Sequence, residues 1–484
     1  MPRTERDLIA GYSGDFDIPD PVDVAAGAVV KAREAAPRVL VVLDDDPTGT
    51  QSVADLPVLT AWEVEDFRWA FSHHIEGLPA PAVYVLTNSR SLDPADVRER
   101  TREVVAHAYR AGDDIGVELT FVSRSDSTLR GHYPLETNVI TETISEHGGP
   151  STDGVVLVPA FPDAGRVTIG GVHYVEQGDS LVPAGETEFA GDATFGYKHS
   201  QLADWVQEKT QGRVATGDVV ELDLHVVRGG ADGIASALMD THDSTPVVVD
   251  IINEHDLRAL ALGLVEAERR GKHLLYRVGP PFVRAMIGQE PHSPLTVGQI
   301  VDPDDDPRGG LVVVGSHVAL TTRQLDALMS GHADAEVVEL SVEALTRDGE
   351  SHVAQTVETV SSVLRRGDVI LHTSRQLKRT DDPDENLRIA REVSQAVVEV
   401  VAGTLAHTPP RFVVAKGGIT SSDVASRGMQ IRRAVVRGPM LPGLVSLWEA
   451  VDGPARGIPY VVFAGNVGAD DSLLDVVRTL SAYI

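Results

Sequence analysis

The chain predicts an α/β fold with mainly parallel sheets, on three observations. Short Val/Leu/Ile runs bounded by turn residues recur along all 484 residues. Most are apolar at successive positions rather than alternating, as in strands covered on both faces. Helical patterns lie between several of them, which is the rhythm of strand–helix units. In order, strands are expected at 39–43, 83–87, 119–122, 155–158, 247–252, 274–278, 311–314, 369–372, 412–415 and 460–463, with helices at 96–111, 257–270, 353–366 and 386–402. At roughly 150 residues per domain, the length allows two or three domains. The clearest composition shift, at 289–310, is rich in Pro, Gly and Asp and reads as a linker. The expected division is an N-terminal domain over 1–290, with 1–37 as an extension, a linker over 291–310, and a C-terminal domain over 311–484. Asp304, Asp305 and Asp306 in that linker read as solvated charge rather than a metal site. The rhythm lapses at 187–211, which reads as an insertion or a lid.

Seventy-two Asp and Glu against forty-two Lys and Arg give a net charge of −30. Such a charge opposes nonspecific attraction to nucleic acid or anionic membrane, so neither is an expected partner. Zero Cys removes disulfides, thiolate nucleophiles and Cys-ligated zinc, and fits a reducing cytoplasm, the expected location. No apolar run approaches the roughly 18 residues needed to span a bilayer, and residues 1–20 do not resemble a signal peptide. An anionic substrate would need a local basic cluster to overcome the acidic background.

The strand ends of the first half supply one. Ligands of open parallel sheets sit beyond the carboxyl ends of the strands. Residues 39–43 run into Asp44, Asp45, Asp46, Pro47, Thr48 and Gly49. Adjacent carboxylates repel unless something compensates them, and a simple Asp-Pro turn needs only one. Residues 83–87 run into Asn88, Ser89 and Arg90, and 119–122 into Ser123, Arg124, Ser125, Asp126, Ser127, Thr128, Leu129, Arg130, Gly131 and His132. Arginine forks bind carboxylates bidentately, and hydroxyls donate to carboxylate oxygens. Arg166, after the 155–158 strand, adds to the same charge.

The second half carries different loops. Residues 311–314 lead into Gly315, Ser316 and His317; 412–415 into Lys416, Gly417, Gly418, Ile419 and Thr420; and 460–463 into Ala464, Gly465, Asn466, Val467 and Gly468. Turns of this kind present backbone N–H groups to phosphate. One is ordinary punctuation; three in one domain point to a nucleotide pocket. There is no G-x-x-x-x-G-K-[ST], which disfavours a P-loop enzyme, and no G-x-G-x-x-G after the first strand. G-x-S-x-G and H-E-x-x-H are missing too. Gly178, Asp179, Ser180 and Leu181 spell an esterase signature but lie mid-domain, and read as a turn.

At these loops the sequence resembles the four-carbon acid sugar kinase family, the tetronate kinases that act on threonate, erythronate or oxo-tetronate. The family's A-D-D-x-T-G is matched at 44–49 with Asp44 in place of Ala. Its T-x-S-R is matched at 87–90, and its K-x-D-S-T-x-R-G at 124–131 with Arg124 in place of Lys. P-A-F-P-x-x-G-R is matched at 159–166 and G-x-x-x-V at 171–175. Gly315 and Ser316, Gly417-Gly418-x-Thr420, Gly438-Pro439 with Pro442-Gly443, and Gly465-Asn466-x-Gly468 follow in order. The resemblance spans about residues 38–480; 1–38 and 187–233 are longer than the family's minimum.

The resemblance implies an ATP-dependent kinase of two α/β domains closing on a cleft between them, the first binding the sugar acid and the second ATP. Implied substrate contacts are Asp45 or Asp46, Arg90, Arg124, Ser125, Asp126 and Ser127. Implied nucleotide contacts are Ser316, Gly417, Gly418, Ile419, Thr420, Gly465 and Gly468. The expected reaction is transfer of phosphate from ATP, as its Mg2+ complex, to a terminal hydroxyl of the acid, with Asp45, Asp46 or Asp126 taking the proton. Magnesium is expected on the triphosphate and its waters, with no dedicated protein ligands. The alternatives are a noncatalytic sensor of sugar acid and nucleotide, or a hydrolase or dehydrogenase acting on a sugar acid. The sequence leaves the oligomeric state open.

Overall fold

The structure, a computed structural model, describes residues 5–35, 37–300, 308–375 and 383–482, the side chains of 383–387 excepted. It divides into two compact units, one of Met1–Gly49 and Trp62–Pro291, the other of Thr50–Ala61 and His292–Ile484. The acidic run Asp304, Asp305 and Asp306 lies outside the described residues. No described helix is long and apolar enough to cross a membrane.

The first unit is built on seven strands, all parallel. Across the sheet they run Val220–Leu222, Thr245–Val249, Gly154–Val158, Leu274–Val278, Leu119–Arg124, Val39–Asp44, Ala82–Leu86. Every residue of Val39–Asp44 is buried, as the unbroken apolar run requires of a strand covered on both faces. That first strand has the second in sequence on one side and the third on the other, so the chain reverses direction across it. Such a switch leaves a crevice at the carboxyl ends of the strands. Helix Pro94–Ile115 shows the local chemistry well: Asp93 accepts from the N–H groups of Ala95 and Asp96, Pro94 opens the first turn, and Gly116 at φ +72° ends it.

A small antiparallel sheet of Arg166–Ile169, Val172–Gln177 and Ser180–Pro183 flanks this unit. The Gly-Asp-Ser-Leu sequence is its hairpin turn, with Gly178 at φ +61° and Ser180 opposite Gln177. The N-terminal extension is part of the fold. Leu8 is buried with Val167, Ile169, Leu181, Leu224 and Ile252, and Tyr12, Phe16 and Ile18 pack against them. The 187–211 segment is also ordered, with helix Leu202–Lys209 burying Leu202, Trp205 and Val206.

The second unit has a mixed sheet. Pro57–Leu59, Arg433–Leu441, Val445–Ala450 and Pro459–Phe463 pair antiparallel, then Val413–Lys416, Leu311–Val314, Val369–Thr373 and Glu336–Leu340 continue parallel. Here too the first strand of the parallel part, Leu311–Val314, sits between later ones and marks a switch. Helices Ala319–Gly331 and Ser472–Ser481 bury Leu325, Leu328, Leu473, Val476 and Leu480 against this sheet.

The structure departs from a division of 1–290 and 311–484 in one respect. Thr50–Ala61 belongs to the second unit, because Pro57–Leu59 pairs with Val435 to Arg433 and Thr50 accepts from Trp448 Nε1 at 2.8 Å. Part of the expected linker also packs there: Leu295 N–H donates to Pro439 at 2.8 Å, and Leu295 and Ile300 lie on the apolar core.

Candidate active site

In the first unit, parallel register sets Asp44 directly beside Arg124 at the ends of neighbouring strands. Arg124 Nε donates to Asp44, and its Nη2 donates to Asp46 Oδ1 at 2.7 Å and to the Asp46 carbonyl at 2.5 Å. Arg90 grips Asp45 with both sides of its fork, Nε to Oδ2 at 3.0 Å and Nη2 to Oδ1 at 2.6 Å, and reaches Asp46 from Nη1 at 2.7 Å. Gly49 closes this loop so tightly that an added Cβ would lie on the Asp44 carboxylate and 2.6 Å from Arg124 Nε. Only glycine lets the backbone approach so closely.

Three buried or part-buried carboxyl groups thus meet two guanidinium groups. Burial, with Asp46 and Asp45 adding to it, pushes Asp44 up to about 8 despite Arg124. Burial also opposes ionisation of Asp46, but Arg90 and Arg124 outweigh it and hold that carboxyl well below the usual range. Oxygens of Asp44, Asp45 and Asp46 lie within 4.8 Å of one another, close enough to share a cation. Those oxygens are already held by the two arginines, so the set fits a magnesium ion only if the guanidinium groups withdraw.

The remaining polar residues of the third strand end lie alongside. Ser125 and Ser127 are buried. Asp126 accepts from Thr128 and from Arg130 Nε at 2.7 Å. Burial raises its pKa, but Arg90 and Arg130 prevail and bring it to about 2. Ser125 and Asp126 line a small recess together with Leu129, Trp205 and Arg277. The 187–211 segment adds to its wall: Tyr197 donates to the Thr128 carbonyl at 2.8 Å, and Asp192 lies 3.6 Å from Arg130.

Sequence reading missed Arg277 and Trp205. Arg277 sits inside the otherwise apolar run Leu274–Val278 and is 4% exposed. A charged residue in a strand covered on both faces was the available signal, since such burial is costly unless compensated.

In the second unit, four parallel strands, Leu311–Val314, Val369–Thr373, Val413–Lys416 and Pro459–Phe463, bring their carboxyl ends to one edge. Ser316, Gly417, Thr420 and Gly465 converge there. A Cβ on Gly417 would lie 3.1 Å from both Ser316 Cβ and Thr420 Oγ1, and one on Gly465 would lie 2.9 Å from Ser316 Oγ. Gly417 has φ +128°, a conformation that other residues rarely adopt. Thr321 donates to the Gly465 carbonyl at 2.8 Å, and Gln324 to those of Val467 and Ala469, which fixes the loop carrying Gly468. Gly418 opens a helix of six residues, Gly418–Asp423, which runs on into a π-turn at Val424–Gly428. Ile419 points outward, 59% exposed.

Two cations at this edge were not singled out from the sequence. Lys416 is fully buried, donates to the Ala464 carbonyl at 2.5 Å, and lies 4.0 Å from the centre of the Phe463 ring. Burial lowers it to about 7. Arg375 donates to the Ser316 carbonyl at 2.7 Å and to Thr322 at 2.6 Å, and its pKa is lowered by burial. Both follow strands, and lone basic residues at apolar strand ends carried the signal.

Residues 40–286 match a family described as a sugar-binding N-terminal domain, and 311–473 one described as a nucleotide-binding C-terminal domain. The chain is 25% identical to the D-erythronate kinase of Heliobacterium modesticaldum, covering 91% of this chain and 97% of that protein. It is 26% identical to the D-threonate kinase of Bordetella bronchiseptica, covering 91% and 96%. Among solved structures, a Salmonella typhimurium LT2 protein superimposes with a TM-score of 0.65 at 17% identity, over 91% of this chain and 99% of that one. A Haemophilus influenzae protein does so with 0.61 at 19%, over 91% and 100%. These two likenesses establish the fold. Two matched domains covering most of the sequence, and relatives aligned along nearly their whole lengths, place the chain in the four-carbon acid sugar kinase family.

Proposed function

We propose that the protein transfers the terminal phosphate of ATP to a hydroxyl of a four-carbon sugar acid, of the kind named in its erythronate and threonate kinase relatives. One observation carries the reading: within a chain of this family, the first unit's strand ends bring Ser125, Asp126 and Arg277 together on the wall of one small recess. The glycine-lined edge of the second unit, where Ser316, Gly417, Thr420 and Gly465 meet, supports nucleotide binding.

Phosphoryl transfer through a loose transition state asks the protein mainly for positioning and charge neutralisation. Backbone N–H groups of Gly418, Gly465 and Gly468 cradle phosphate oxygens, with Ser316 and Thr420 donating and Ile419 lying over the nucleotide; the Gly417 N–H, expected among them, is instead bonded to the Phe463 carbonyl at 2.8 Å. Magnesium, brought in on ATP, supplies further neutralisation of the phosphate charge. Ser125 and Ser127 bind hydroxyls of the acid. Asp45 is locked on both oxygens by Arg90, and Asp46 is shared between Arg90 and Arg124. Arg90 and Arg124 therefore act on the acid loop first, holding these carboxylates in place. Asp126, which lines the recess, is the base that accepts the hydroxyl proton. Its low pKa suits a transfer in which the proton leaves late, when the attacking oxygen is already acidic.

The test is ADP release on incubation with MgATP and a panel of D-erythronate, D-threonate and 2-oxo-tetronates, with the phosphorylated product read by 31P NMR. Asp126→Asn should lower kcat by about 100-fold or more with little change in KM for ATP. Stabilisation by a sugar acid with no ADP from any member of the panel would leave a sensor instead. Turnover without ATP, or only with a nicotinamide, would leave a hydrolase or dehydrogenase.

A further inference from the structure

We infer that Arg277 and the indole N–H of Trp205 form the subsite that holds the carboxylate of the sugar acid, at the opposite end of the substrate from Asp126. The inference rests on the kinase reading of the first unit and specifies which residues recognise the acid group.

Arg277 pairs in register with Ser123 and is buried at 4% exposure. A guanidinium keeps its proton in a protein even where, as here, burial lowers its pKa. Buried in this way, it needs both a facing anion and acceptors for its N–H groups. Its facing acid, Glu136, lies 3.7 Å from Nη1, beyond hydrogen-bonding distance. One Glu136 oxygen, Oε1, accepts from Ser89 at 2.5 Å, and the other, Oε2, is the one that faces Arg277. Arg277 Nη2 reaches only the Arg130 carbonyl, at 3.5 Å, and Nη1 has no hydrogen-bond partner among the described residues. Four other arginines of the unit are bonded more closely. Arg90, Arg130, Arg228 and Arg284 each donate to a carboxylate at 3.1 Å or less.

Trp205 repeats the pattern. It is 1% exposed, and its Nε1 has no acceptor among the described residues. Its ring stacks on Tyr133 at 4.9 Å and 22°, and the Arg277 guanidinium lies 5.4 Å from the centre of that same Tyr133 ring. Two unspent donors therefore share one aromatic platform and line one recess with Ser125 and Asp126. A carboxylate is the group that fits, since it accepts hydrogen bonds from both donors and charge-assisted ones from the guanidinium. Asp126 in the same recess repels that end of the substrate and accepts its hydroxyl end, so the two charges set the direction in which the acid enters. A site built to hydrogen-bond one group rejects an analogue lacking it, because its buried donors are then left unpaired.

The test compares wild type, Arg277→Lys, Arg277→Ala and Trp205→Phe with D-erythronate, D-threonate and the neutral tetrol erythritol. Folding is checked by thermal melting. Loss of a charge-assisted hydrogen bond predicts a KM for the acid raised roughly tenfold or more in Arg277→Lys and about threefold to tenfold in Trp205→Phe, with KM for ATP within about twofold. Arg277→Ala should lose most of the preference for acid over erythritol and regain part of its acid turnover when guanidinium ion is added. Trp205→Phe keeps the stack on Tyr133 and carries the test should the arginine variants not fold. The inference is overturned if Trp205→Phe and the folded arginine variants keep the acid KM within about twofold of wild type, or if acid and ATP affinities fall together in step with melting temperature. A wild type that releases no ADP with any four-carbon acid removes the kinase reading itself, a result separate from either variant outcome.

Discussion

The two units place polar residues at the same point of the same kind of sheet and solve opposite electrostatic problems there. In the first unit the switch around Val39–Asp44 is filled with charge, and Asp44, Asp45 and Asp46 are held by Arg90 and Arg124. In the second, the switch around Leu311–Val314 is lined by glycine and hydroxyl groups, and the buried Lys416 is satisfied by a carbonyl. A buried charge network is stable only while every partner remains. A glycine-lined edge depends instead on backbone shape. The difference teaches where each unit is vulnerable.

The comparison is tested most severely at Arg124. Arg124→Met removes the buried donor of Asp44 and one of the two guanidinium partners of Asp46, and should lower the free energy of unfolding by about 3–5 kcal/mol. A urea melt showing a loss below about 1 kcal/mol would break the view of the acid loop as an ionised network.

Two neighbouring aspartates sharpen it next. Asp46→Asn removes a carboxylate held ionised and should cost about 1.5–3 kcal/mol at pH 7, whereas Asp44→Asn imitates the protonated form and should cost less than about 1 kcal/mol. The pH dependences run in opposite senses. Asp46 has a depressed pKa, so its stabilisation is present above the unfolded value of 3.8 and is lost as pH falls below it. Asp44 has a raised pKa, so its contribution is complete below 3.8 and is lost as pH climbs towards about 8. Melts of the two variants and wild type from pH 2 to pH 8 give both signs.

Lys416 supplies the counterpart in the second unit. Its folded pKa of about 7 lies below the ordinary 10.5, so the folded protein carries a penalty that is largest at and below pH 7 and fades as pH rises towards 10.5. The stability of wild type relative to Lys416→Met should therefore rise by at least about 1 kcal/mol between pH 7 and pH 10. A flat difference would mean the amine stays charged throughout. The smallest effect belongs to Ile419. Ile419→Ser should alter unfolding free energy by no more than about 0.5 kcal/mol, because the side chain is already exposed.

Local pattern made much of the molecule legible. Strands 274–278 and 311–314 were read to the residue, because a continuous apolar run bounded by turn formers has few other solutions in a water-soluble sheet. The Asp44 and Arg124 loops were legible as polar strand ends. Arg277 was not, since a lone arginine within an apolar run says nothing about whether its partner lies nearby or is missing. Nor was Trp205, whose importance lies in an unused N–H and in a stack on Tyr133 some seventy positions earlier.

The sequence by itself determined the α/β class, most of the parallel strands and the loops that carry chemistry, because these follow from periodicity and turn chemistry within about ten residues; the short strands Val220–Leu222 and Glu336–Leu340 were not among those expected. Tertiary structure alone decided that Arg90 and Arg124 are taken up by the protein's own aspartates while Arg277 faces Glu136 beyond hydrogen-bonding distance, and that Thr50–Ala61 joins the second unit. The reason is physical: pairing of charges and of strands depends on distance in space, and partners such as Asp44 with Arg124, or Val58 with Ala434, lie 80 to several hundred residues apart along the chain.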